Sequence, residues 1–84
     1  MNSHQITDHI KKHIQDAQVN VKDLTGGGDH WEIQVISSAF SGKSLIERHR
    51  QMHSIMDGPM KEDVHAVKFK TLTPQEWQAK NQRS

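Results

Sequence analysis

Ile6, Ile10, Ile14 and Ala17 recur at the three- and four-residue spacing of one helical face, and Ser3 stands where an N-cap would open that helix. The stripe predicts an amphipathic first helix and takes in His13 as well. The period then drops to two. Val19 and Val21 alternate with Asn20 and Lys22 in VNVKDL, and Trp31, Ile33 and Val35 alternate with Glu32 and Gln34, as half-buried strands do. Gly26, Gly27 and Gly28 lie between, so the two strands read as a hairpin with a loose tip. The longer period returns in FSGKSLIERHRQMHSIMDGP, opened by Ser41 or by Ser44 and Glu47 at capping-box spacing and stopped by Gly58-Pro59. That segment predicts a helix of about four turns. On its wheel Leu45, His49, Met52 and Met56 share a sector facing the core, with His53 at the edge and Arg48 pointing away. VHAVKFKTL follows as a third strand, with His65, Val67 and Phe69 on one face and Ala66, Lys68 and Lys70 on the other. Thr73, Pro74 and Glu76 then supply the cap, first position and capping-box glutamate of a last helix anchored by Trp77. The tail after Ala79 has no apolar residue and is expected to fray.

The element order is therefore α-β-β-α-β-α, with neither repeat nor linker, in one domain over residues 1–84 whose core spans about 6–79. It predicts a two-layer α+β fold, with helices packed on a three-stranded mixed sheet. Strands one and two form an antiparallel hairpin. Strands two and three, joined through a helix, are expected to be parallel by a right-handed crossover.

Composition narrows the chemistry. A chain of 84 residues buries only about 60% of the surface it exposes when unfolded, so the core is thin. There is no cysteine, which excludes disulfides, thiolate catalysis and any all-protein thiolate metal site. No apolar run approaches the ~20 residues of a membrane span, and MNSHQITDHI lacks the features of a secretory signal, so a soluble cytoplasmic protein is expected. The net charge is +1, but residues 1–42 hold three Lys/Arg against five Asp/Glu and residues 43–84 hold eight against five. The basic second half suits an acidic partner. It is thinner in cations than phosphate-backbone binding usually requires.

Two histidine pairs, His9/His13 and His49/His53, have the i,i+4 spacing of helical metal ligands. Two imidazoles make half a tetrahedral site, and amphipathic placement accounts for both pairs as packing or surface residues. SGKS resembles the end of a phosphate-binding loop, but Ser37 occupies the position of the required earlier glycine, and the segment reads better as a helix start. His30, after the glycine run, and His65, at the entry of the third strand, could share a metal whose remaining positions are filled from another molecule; a satisfied core-edge histidine is the alternative for His65. No Ser-His-Asp set or carboxylate pair suggests an acid–base enzyme.

Four motifs in order, Phe40-x-Gly42, Arg48-His49-Arg50, Val64-His65-Ala66 and Thr73-Pro74-x-Glu76-Trp77, resemble the signature of the BolA family, and the match spans roughly residues 6 to 79. The resemblance implies a fold similar to a type II K-homology domain. It implies a non-enzymatic protein that forms a heterodimer with a monothiol glutaredoxin around a 2Fe-2S cluster, in iron–sulfur cluster trafficking or iron regulation. In such a pair the glutaredoxin cysteine and a glutathione thiol supply sulfur while the BolA side supplies imidazole, so no cofactor is expected in the isolated protein. The family's strand histidine corresponds to His65 and its loop ligand to His30. Arg48, Arg50, Lys68 and Lys70 are candidates for meeting an acidic glutaredoxin face or the glutathione carboxylates, with ordinary solvated surface as the alternative. Met52 and Met56 stand where the family more often has Val and Leu. A second implied role is a nucleic-acid-binding transcriptional regulator, although the nearest counterpart of a Gly-x-x-Gly clamp, GGGD, ends in Asp29.

Overall fold

The computed structural model describes residues 3–27, 30–57 and 67–81. Within them run α1 (Ser3–His13), β1 (Gln18–Asp23), β2 (Trp31–Ile36), a short 3-10 helix (Ser38–Phe40), α2 (Leu45–Met56), β3 (Val67–Leu72) and α3 (Pro74–Asn81). This is the predicted order with the 3-10 turn added. Ser37 sets that turn, because its hydroxyl accepts the Ala39 N–H and so occupies the backbone donor that would otherwise continue a strand. Among the described residues no helix is long and apolar enough to cross a membrane.

β2 is the central strand. It pairs antiparallel with β1, Val21 opposite Ile33, and parallel with β3, Ile33 opposite Phe69. Alternation sends Trp31, Ile33 and Val35 into the core with Phe69, beneath Ile6, Ile10 and Ile14 of the first helical segment and Met52, Ile55 and Met56 of α2. The two methionines of α2 are both fully buried in it. Phe40, delivered by the 3-10 turn, is also fully buried.

Three expectations need correction. Ser3 is itself helical rather than a cap, and His13 is exposed, its ring turned back so that Nδ1 lies 3.0 Å from the His9 carbonyl. In α2 the inward face is Arg48, Met52, Ile55 and Met56, while Leu45 and His49 are exposed. The wheel misplaces Arg48 because it sorts residues by polarity, whereas this guanidinium finds acceptors inside the fold. The last helix runs to Asn81; the tail beyond it, like Gly58-Pro59 and the His65-Ala66 start of the expected third strand, lies outside the described residues.

Asp16 fastens the turn after α1 to the exit of β2. Its carboxylate accepts the Ser37 and Ser38 hydroxyls and the Ser38 N–H. Those hydroxyls, Ser37 foremost, hold its carboxyl below the usual carboxylate range. A depressed folded pKa stabilises the fold above the unfolded value, and that contribution is lost as pH falls through the folded value. Asp16→Ala is expected to lower the thermal midpoint at pH 7, with the gap to wild type closing as pH drops below about 4. Phe40→Ala is expected to cost about 3–5 kcal/mol in denaturant unfolding, a large share of a small domain's total.

Candidate metal and partner site

The tip of the β1–β2 hairpin is organised by Asp23, whose Oδ1 accepts the Thr25 and Gly26 N–H groups. Gly26 takes φ +79, a left-handed conformation that glycine adopts without steric cost. The hairpin closes where Leu24 N–H donates to the His30 carbonyl at 2.9 Å, so His30 is held by its backbone immediately before β2 with an exposed side chain. Because β2 and β3 are parallel, with Trp31 aligned to Val67, His30 stands at the end of the sheet where both strands begin. His65 precedes Val67 by two positions and lies outside the described residues. An exposed imidazole beside a strand start is chemically suited to ligate a metal group presented by another molecule. Among the described residues no three His, Asp or Glu side chains gather to hold a metal ion by themselves.

The four cations expected to meet a partner are not brought into one patch. Lys68 and Lys70 lie exposed on the open face of the sheet, whereas Arg50 is exposed on α2, across the sheet from them. The register adds a neighbour that the sequence reading missed. Lys22, Glu32 and Lys68 form one cross-strand row, and Asn20, Gln34 and Lys70 the next. Lys70 Nζ sits 2.7 Å from Glu32 Oε1, and this contact holds the Glu32 carboxyl below its usual range. Alternation along VNVKDL already put Lys22 on the polar face; only the pairing shows which strand it faces.

Arg48 is a correction of substance. It is 7% exposed and cannot serve as a surface cation. Its Nε donates to Lys43 O at 3.0 Å, its Nη1 donates to Thr71 O at 3.3 Å and Glu76 Oε1 at 2.8 Å, and its Cζ lies 5.9 Å from the centre of the Phe40 ring. Glu76 Oε1 also accepts the Thr73 N–H at 2.7 Å while Glu76 N–H donates to Thr73 Oγ1, the capping box that the sequence predicts. Arg48 foremost holds the Glu76 carboxyl below its usual range. One carboxylate thus starts α3 and neutralises a buried charge from α2.

The decoy motifs resolve as packing and caps. His9 is half-buried and its Nε2 lies 2.6 Å from the Ile55 carbonyl, tying α1 to α2; His53 meets Phe69 edge-on at 5.6 Å. In SGKS, Ser44 caps α2 by accepting the Glu47 N–H and receives the Glu47 carboxylate on its own N–H. A carboxylate occupies the place where a phosphate would have to sit.

Glu76→Ala is expected to destabilise the protein by about 1–3 kcal/mol in denaturant unfolding, because it leaves a buried guanidinium short of its counter-charge and removes half the capping box. Glu76→Gln, which keeps an acceptor oxygen, is expected to recover part of that loss.

Comparison with known proteins gives this arrangement a family. The family model for BolA-like proteins matches residues 1–76. Protein BOLA2 of Arabidopsis thaliana is 35% identical over 82 residues, covering 95% of this chain and 87% of that protein. The DNA-binding transcriptional regulator BolA of Vibrio cholerae is 30% identical, over 94% of this chain and 85% of its own length. The crystal structure of a Bol-like protein from Babesia bovis superposes with a TM-score of 0.80 at 29% identity, covering 96% of this chain and 94% of that one. A sequence match across nearly the whole length, carried on the same arrangement of helices and mixed sheet, places this chain in the BolA family.

Proposed function

We propose that this protein is a non-enzymatic partner of a monothiol glutaredoxin, with which it forms a heterodimer around a shared 2Fe-2S cluster in iron–sulfur cluster trafficking or iron regulation. The observation that carries the reading is the family match over residues 1–76, which includes both His30 and His65. In this reading the two histidines are the nitrogen donors, and the glutaredoxin cysteine and a glutathione thiol are the sulfur donors. The chain has no cysteine of its own, which fits a division of ligands between the two proteins. A cluster ligated partly by imidazole has a higher reduction potential than an all-thiolate one. The contribution of the polypeptide is to hold His30 at the mouth of the hairpin through the Leu24–His30 backbone bond and the Asp23-ordered turn, at the end of the sheet where β3 also starts.

A second reading, a nucleic-acid-binding regulator, draws support from the Vibrio cholerae relative, a DNA-binding transcriptional regulator. Against it stand the separation of Arg50 from Lys68 and Lys70, the burial of Arg48, and Asp29 at the end of GGGD in the sequence. Binding to short DNA and RNA duplexes that stays sequence-specific at physiological salt would favour this second reading.

Adding the protein to a cluster-loaded monothiol glutaredoxin is expected to change the visible absorption and circular dichroism. His65→Ala is expected to abolish that change and His30→Ala to weaken or alter it. A wild-type spectrum from both variants would overturn the ligand assignment.

A further inference from the structure

The three large apolar side chains most exposed in the described structure are Leu24, Leu45 and Ile46, and two of them are adjacent in the first turn of α2, at 66% and 65% exposure. Neither the core nor the proposed ligands account for that pair. Beside Leu45 a groove of about 280 Å³ runs along the outer edge of β3 between α2 and α3, lined by Leu45, His49, Phe69, Leu72, Lys70 and Lys80. Thr71 also lines it. The volume suits one or two side chains of a guest rather than a free-standing small-molecule site, which typically takes about 300–1,000 Å³.

β3 is an edge strand, since the sheet order is β1-β2-β3. Leu72 O points toward β2, where it accepts the Ser37 N–H, while Thr71 O points the other way, to Arg48. By the two-residue alternation of a strand, Phe69 presents its backbone N–H and C=O on the same outer side as Thr71. Among the described residues no backbone group pairs with this edge. The Thr71 carbonyl is taken, so a guest strand has the Phe69 backbone groups and the stretch toward Val67 to pair with, next to an apolar wall.

The rim decides the chemistry of the guest. Among the described residues no carboxylate lines the groove. Lys70 is already paired with Glu32 on the open face, which leaves Lys80 as a permanent positive charge and His49 as a second donor. Nucleic acid is disfavoured because the groove's aromatic ring, Phe69, is buried and offers no stacking face, and because so few cations neutralise few phosphates.

We infer that the β3 edge and the Leu45 groove form a docking site for an extended peptide segment of a partner protein, one whose apolar side chains are flanked by carboxylates, bound by strand addition. Backbone pairing gives such a site its affinity and the alternate side chains its specificity. It is independent of the cluster reading: its guest lies along β3 and requires neither His30 nor His65.

The test uses the full chain, labelled with nitrogen-15, titrated with acetyl-Glu-Leu-Glu-Val-Glu-Leu-amide. The expected result is saturable amide shifts confined to residues 45–49, 67–72 and α3. Affinity is expected to fall about tenfold or more in Leu45→Glu and in Lys80→Glu, which alter exposed side chains and keep the wild-type spectrum elsewhere. The inference is overturned by the absence of saturable shifts, or by shifts centred on the Lys22–Glu32–Lys68 row. Equal binding of the lysine-for-glutamate peptide, tighter binding of a ten-nucleotide oligothymidine, or wild-type affinity in both variants would also overturn it. Shifts at these residues that follow the concentration of the protein alone would assign the groove to a second copy instead. His30→Ala and His65→Ala are expected to bind the peptide as wild type does, which separates failure here from failure of the ligand assignment.

Discussion

β2 is paired along both sides and buried on one face, with Ile33 and Val35 wholly withdrawn from water. Every other element is arranged to make that possible. A three-stranded sheet with one apolar face needs a covering layer to be stable in water, and α1 and α2 provide it. Parallel pairing of β2 with β3 demands a long return path, and α2 is that path. The same pairing decides the functional geography. It sets the starts of β2 and β3 at one end of the sheet, so the segment carrying His30 and the segment leading from His65 toward Val67 are joined to neighbouring strands although the two histidines are 35 positions apart in the chain.

Local periodicity carried much of this architecture on its surface. Alternation in VNVKDL and around Ile33, the four-residue stripe of isoleucines, and two capping boxes each depend on neighbours a few residues apart. All were therefore readable without knowing the fold. What escaped reading depends on partners far along the chain. Arg48 and Glu76 are 28 positions apart, and polarity alone directs an arginine to solvent. Asp16 reaches across 21 positions to Ser37, and the 3-10 turn that carries Phe40 inward is set by that same serine. The wheel places Leu45 in the core because it supposes that a helix is covered along its full length, whereas Leu45 and Ile46 in the first turn of α2 are exposed.

The candidate site was legible in a different way. Placement beside strand starts marks His30 and His65 as two histidines that could share a metal, and the family resemblance implies the same two as ligands. The expected cationic surface fared otherwise, because charge counted along the second half of the chain says nothing about layers. Lys68 and Lys70 belong to the open face of the sheet, Arg50 to the helical layer and Arg48 to the interior, while Lys22, from the acidic half, stands in the same cross-strand row as Lys68. Sign asymmetry along a sequence becomes a surface property only after the register is known.

The arginine that bridges α2, β3 and α3 has one more effect. An unprotected sheet margin can recruit identical copies one after another, and fibrillar growth of that kind needs an unbroken row of outward carbonyls and amides. With the oxygen of Thr71 already claimed by a guanidinium, that row is interrupted one residue before β3 ends. A margin interrupted in this way is a poorer template for endless self-addition than an unbroken one.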